Sequence, residues 1–337
     1  MRFAVYKGEK PLLLSGQETL SRQAPDYESG PMEKITHPLG YTFHYHACKN
    51  DGWLEDGYTA DNTWHPAVPA LNEAALQPRS LRQLTLEEPC TADILTFGSF
   101  TDDPMMADKT AGTKMQYAAL SYRGRVATNN GPATLPAQNG IALHAEDGDG
   151  IYVILDLRKE STGLLELDIE LPKEATVYVG FGEHLDDLRV RTDVGKRQFC
   201  GVYHAKAGRQ TFTHYYKRIG ARYLQLHIYA PDMTLYYAGI RPVMYPVEYI
   251  SDFDCGDFLM NKIYAVSLDT LRLCMHEHYE DCPCANRPYM LWIAACKCCA
   301  VTMPLKKPLC RGKVCDSWPK GNGKTACWKC ALPQPSR

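Results

Sequence analysis

Residues 150–171 read GIYVILDLRKESTGLLELDIEL. In the second half, apolar residues alternate with Glu166, Asp168 and Glu170. A period of two gives a strand one buried face and one wet face. The runs that follow have the same character: "ATVYVGFGE", "VYHAKAG", "QTFTHYY", "ARYLQLHIY" and "LYYAGIRPVMYP" are short, β-branched and aromatic. Several are separated by the turn-forming stretches "LPKE", "AGRQ" and "YAPDM". Strands at this spacing, with no helical period between them, predict an antiparallel sandwich or jelly roll over 136–250.

Upstream, residues 1–135 are rich in turn residues and aromatics, with short apolar runs such as "PLLLSG", "YTFHYHA" and "ADILTFGSF". "ADNTWHPAVPAL" is a loop full of breakers. This part reads as an irregular β-rich domain. Downstream, the period changes near residue 251. In "SDFDCGDFLMNKIYAVSLDTLRLCMHEHYEDCP", Leu259, Ile263, Val266, Thr270, Leu271 and Cys274 fall on one helical face. Asp257 suits an N-cap, and Pro283 disfavours helix at Cys282. The pattern predicts a helix over roughly 257–276.

Net charge is −2, which points to neither nucleic acid nor a membrane surface. The average hides a split. Residues 284–337 hold ten Lys and Arg against one acid, Asp316, and nine of the 14 cysteines lie from Cys282 onward. The remaining five (Cys48, Cys90, Cys200, Cys255 and Cys274) are scattered, which suits a reducing compartment and gives no disulfide framework. The N-terminal "MRFAVYKGEKPLLLSG" lacks the long apolar stretch of a signal peptide, and no run is long enough to span a bilayer. A cytoplasmic location, with no membrane partner and no specific nucleic-acid partner, is the expectation.

In order along the chain, "GIYVILDLRKESTGLLELDIEL", "VYVGFGEHL", "GARYLQLHIY" and the run from "GIRPVMYP" to "HYEDCP" resemble the α-L-rhamnosidases of glycoside hydrolase family 78. The resemblance implies β-sandwich domains followed by an (α/α)6 six-hairpin barrel that hydrolyses terminal α-L-rhamnosides with inversion. It places an acidic loop beginning Asp-Cys-Pro just after the barrel's first helix. Asp281 matches the first acid of that loop, a sugar-binding residue. The family's general acid falls five positions later and another sugar-binding Asp twelve positions after Asp281; here those positions are Asn286 and Ile293. An amide has no proton to donate at a useful pKa. No catalytic residue is therefore assigned in this chain, no cofactor is expected, and the partner of the intact family is a rhamnose-containing glycan.

The genetic code accounts for the break. Loss of one base near Cys284 would set each original codon across two present ones. Trp292 followed by Ile293 then reads as aspartate, with no freedom of choice, and one choice of third bases restores Arg-Glu after a Trp codon. Residues 284–337 accordingly read as an out-of-frame tail: basic, rich in Cys and Pro, with no sustained period. The expected divisions are 1–135, 136–250, 251–283 as the start of the barrel domain, and 284–337 as the tail. A barrel of twelve helices needs well over ~130 residues, more than follow residue 250. The expectation is a fragment without rhamnosidase activity. The alternatives are a carbohydrate-binding β-sandwich protein and a Cys-rich metal module.

For the metal module, only Cys327 and Cys330 have the x2 spacing that zinc sites favour, so no metal site is assigned. His44 and His46 share one strand face with Cys48 beside them; ordinary histidines on a half-buried strand is the reading adopted. Glu183 reads as a turn cap. Trp53 and Trp64 would suit a sugar-stacking platform, but packing in an N-terminal core is the expectation. The first helix would expose an apolar face through which chains associate.

Overall fold

The computed structural model describes residues 4–68 except 17, 31, 37 and 38, residues 81–248 except 125, 126, 129 and 130, residues 253–280, and Cys282. Asp281 and the whole of 284–337 lie outside the described residues.

The fold is mainly β, as the sequence predicts. The principal strands are β1 (His44–His46), β2 (Ala92–Thr101), β3 (Ala119–Gly124), β4 (Ile141–His144), β5 (Gly150–Leu171), β6 (Ala175–Gly182), β7 (Cys200–Ala205), β8 (Gly208–Ile228) and β9 (Asp232–Met244). They pair in the order β3-β2-β5-β8-β6-β7-β1, with β9 joining β5 and β4 joining β9. All these pairings are antiparallel except β7 with β1, which is parallel. Strands from both sides of residue 135 thus share one sheet.

The 22-residue strand β5 organises the fold. Its first half, from Gly150 to Asp156, lies between β2 and the end of β8. Its second half, from Gly163 to Glu170, lies between the start of β8 and β9. The change of neighbour occurs at a bulge between Asp156 and Ser161. Arg158 there has φ 68°, a left-handed conformation that is strained for a residue with a side chain. It is held by its own N–H donating to Asp156 Oδ1 (2.7 Å) and by a two-pronged guanidinium contact with Asp93 (2.7 and 2.8 Å). Just past the bulge, a Cβ on Gly163 would sit 1.9 Å from the Arg241 carbonyl oxygen, so only glycine permits that close approach.

The alternation seen in the sequence is the packing. Leu165, Leu167, Ile169 and Leu171 are buried in the same core as Ile151, Val153 and Leu155 from the first half of β5. Each such side chain contributes about 1.5–3 kcal/mol. The intervening acids face outward and pair across strands: Glu166 with Arg241 (2.6 Å), Asp168 with Arg209 (2.9 Å), and Glu170 accepting from Tyr236 Oη (2.8 Å). Half-exposed pairs of this kind are worth about 0–1 kcal/mol, so the apolar face dominates the stability of the strand.

Helix α1 (Ala111–Tyr117) is not signalled by the sequence period. It has only seven residues and a glycine, and its stability comes from docking: Ala111 and Met115 pack on Cys200 and Val202. Helix α2 (Phe258–Leu273) lies where the sequence predicts it, with Asp257 as N-cap accepting from Met260 N–H (2.8 Å). Only its C-terminal end is buried, at Leu271 and Cys274. Phe258, Leu259, Met260, Ile263 and Val266 are exposed, the last two at 50% and 55%. Among the described residues no helix is long and apolar enough to cross a membrane, and all six described cysteines outside the termini are free thiols.

Candidate functional site

The loop after α2 is built by burial. Met275 bridges to Tyr279, His276 N–H donates to the His278 carbonyl (3.2 Å), and Glu280 N–H donates back to the Cys274 carbonyl (2.9 Å). Met275, His276, Tyr279 and Glu280 are all buried. Two contacts tie this turn to the sheet. His276 Nε2 meets the Val243 carbonyl at the end of β9 (3.0 Å), and Arg218 of β8 pairs with Glu280. Farther back along the helix, Arg272 pairs with Glu87.

Glu280 is only 3% exposed, and the Arg218 side chain is 14% exposed. Burial pulls the Arg218 guanidinium below its ordinary pKa, opposed by the Glu280 charge. Burial likewise lowers His276, whose other nitrogen lies 3.5 Å from Glu280 Oε2. The arrangement fixes the backbone immediately before Asp281. It does not place Asp281 itself, which lies outside the described residues together with Asn286 and Ile293. Sequence reasoning named Asp281 and missed Glu280, because nothing local distinguishes Glu280 from Glu277 as the carboxylate that turns inward.

A second carboxylate was also missed. Glu160, in the β5 bulge, is pushed up to about 8 by burial and then by the Glu183 charge. Its Oε1 is buried with no hydrogen-bond partner among the described residues. It therefore holds its proton at neutral pH. Glu183 follows the end of β6, and its charge acts on Glu160.

The tryptophans correct the sequence reading. Trp53 is 42% exposed and Trp64 half-buried, so neither belongs to the core. Their rings lie 6.1 Å apart on the surface, in a loop region whose polar residues hold them. Trp64 Nε1 donates to Tyr58 Oη (2.9 Å), Tyr58 Oη donates to Asp51 (2.9 Å), and the Arg22 guanidinium lies 4.5 Å from the Trp64 ring centroid. Loop breakers around them prevent the regular strand that would have turned them inward.

No family model matches the sequence, and no curated protein matches it. Solved structures match in shape. A GH78 family rhamnosidase of Bacillus sp. GL1 superimposes with a TM-score of 0.72 and 14% identity, over 93% of this chain and 51% of that one. The chain has the fold of a family 78 rhamnosidase. The α-L-rhamnosidase from Dictyoglumus thermophilum also matches, with a TM-score of 0.55 and 14% identity, over 89% of this chain and 28% of that one. The chain thus spans about half the length of the Bacillus rhamnosidase.

Proposed function

We propose that the chain carries the β scaffold and first barrel helix of an α-L-rhamnosidase, an inverting hydrolase of terminal α-L-rhamnosides, and that these 337 residues alone do not turn over substrate. The observation that carries the reading is the match to the Bacillus rhamnosidase over 93% of the chain at 14% identity, where shape persists although sequence has diverged. Asp281 is the sugar-binding acid in this reading. An inverting glycosidase needs one carboxylic acid to protonate the leaving group and a second carboxylate, about 6.5–9.5 Å away, to activate water. Asn286 and Ile293 supply neither, in keeping with an out-of-frame tail after Pro283.

The test is release of nitrophenol from an aryl α-L-rhamnoside. The present chain should give none above an Asp281→Ala control, and a gene with the frame restored and the barrel encoded should give turnover. Inactivity of the restored gene on every α-L-rhamnoside would overturn the reading.

Exposed Trp53 favours a second reading for the β portion, as a sugar-binding surface. Aromatic faces stack on the apolar faces of sugar rings, and a solvent-facing tryptophan braced by Trp64, Tyr58 and Arg22 suits that use. Calorimetric titration with rhamnose-containing oligosaccharides, against Trp53→Ala, distinguishes it: binding lost in the variant supports it, and no binding by the parent rejects it.

A further inference from the structure

We propose that Glu28, His46 and His204 form a binding site for one zinc-type divalent cation, which staples the 26–46 segment to the sheet. The inference is independent of the rhamnosidase reading.

Three adjacent backbone segments supply the three groups. Strand β1 runs parallel to β7 in a register that sets His46 beside His204. On the other side of β1, residues 26–28 run along it: His46 N–H donates to the Asp26 carbonyl (2.7 Å), Glu28 N–H donates to the His44 carbonyl (3.0 Å), and Tyr27 bridges to Tyr45. Main-chain hydrogen bonds, not flexible loops, therefore fix the spacing of the ligands. One ligand atom from each of Glu28, His46 and His204 lies within 4.8 Å of the other two. Donors at the ~2.0–2.2 Å bond lengths of tetrahedral zinc sit roughly 3.3 Å apart, and ligation requires one imidazole to turn out of the His46–His204 stack so that both in-plane lone pairs meet on the ion.

Neighbouring side chains hold two of the ligands. His204 Nδ1 faces the Thr176 hydroxyl at 3.2 Å, an arrangement that fixes the ring and leaves Nε2 for the metal. His44, two residues before His46 on the same strand face, meets Glu28 Oε2 through Nδ1 (3.3 Å) and Glu33 Oε2 through Nε2 (3.1 Å). It holds one Glu28 oxygen while the other points at His46 Nε2 (2.6 Å). The His46 and His204 rings stack with centroids 4.2 Å apart and planes 15° from parallel. Two imidazoles so placed repel when both are charged.

Two imidazoles and one carboxylate select the metal. The set suits zinc and its transition-metal neighbours; magnesium and calcium prefer all-oxygen shells. Three protein ligands leave a fourth position for water, and Glu28 lies at the exposed side of the cluster where water reaches it.

The experiment is a titration of the full chain with cobalt(II), whose visible bands report coordination, together with thermal melts with and without zinc. Thiolates in 282–337 compete for metal, so the readout separates donors: histidine and carboxylate ligation gives visible bands without the near-ultraviolet thiolate-to-cobalt charge transfer. The expected result is one such equivalent per chain, retained in C327S/C330S and lost in H204A and in E28Q. Zinc should raise the melting midpoint of the parent but not of those variants. Glu28 is exposed, so E28Q keeps the metal-free melt of the parent and guards against a folding artefact. Thr176→Val should weaken binding by about 10–100-fold. Only thiolate-bound cobalt, or uptake undiminished in both H204A and E28Q, would overturn the proposal.

Discussion

Arg218 on β8 and Glu280 beyond the end of α2 form an ion pair that is almost wholly withdrawn from solvent. The pair joins the β scaffold to the turn that leads into Asp281. Two enclosed charges pair, and removing one leaves the other with weaker compensation. Arg218→Ala or Glu280→Ala should each destabilise the chain by about 3–5 kcal/mol in denaturant unfolding. The double replacement Arg218→Met/Glu280→Leu should be far milder than the sum of the singles. Additive losses would show that the two side chains do not depend on each other.

The Glu160 carboxyl gives the folded chain a pH-dependent term of defined sign. Its pKa rises from 4.5 to about 8 on folding. Between those values the folded state holds a proton that the unfolded state has released, so stability falls as pH rises through that window. Glu160→Gln removes the term. The variant should match the parent near pH 4 and exceed it above pH 8, by an amount on the order of a few kcal/mol. Parallel stability–pH curves for the two proteins would contradict this.

Local signals made much of this fold legible. The Glu166, Asp168 and Glu170 alternation marks the outer face of β5, and Asp257 with the Leu259–Ile263–Val266 spacing marks α2. What escaped were relationships between distant residues. No local pattern shows that β1 lies parallel to β7 and so brings His204 to His46, or that Arg218 waits for Glu280. Helix α1 escaped because seven residues with an internal glycine carry no period, and packing decides their conformation. Trp53 was misread because large aromatics usually serve cores, whereas the breakers around it hold it on the surface.

The exposed face of α2 predicts association. Phe258, Leu259, Met260, Ile263 and Val266 present a contiguous apolar strip along the first turns of the helix. Surfaces of this kind are covered in stable monomers. Light scattering should show concentration-dependent oligomers, and Ile263→Lys/Val266→Glu should reduce them without lowering the melting midpoint, since both side chains are half exposed. A monodisperse monomer at high concentration would contradict the prediction.

The activity prediction rests on counting the groups that glycoside hydrolysis needs. In the proposed reading Asp281 holds a sugar hydroxyl, but one carboxylate cannot both protonate a departing oxygen and activate water on the opposite face. In that reading Asn286 stands at the position of the proton donor and Ile293 at that of the second sugar-binding acid. Loss of a general acid alone typically costs about 10²–10⁴-fold. Glu160 keeps a proton at neutral pH, but it is enclosed in the β5 bulge and its charge partner Glu183 is another carboxylate, so it reads as a stability term. The present chain should therefore release no nitrophenol from an aryl α-L-rhamnoside, with or without Asp281→Ala. Turnover that disappears in Glu160→Gln would identify that carboxyl as a working acid and would move the active site from the loop after α2 to the bulge of β5.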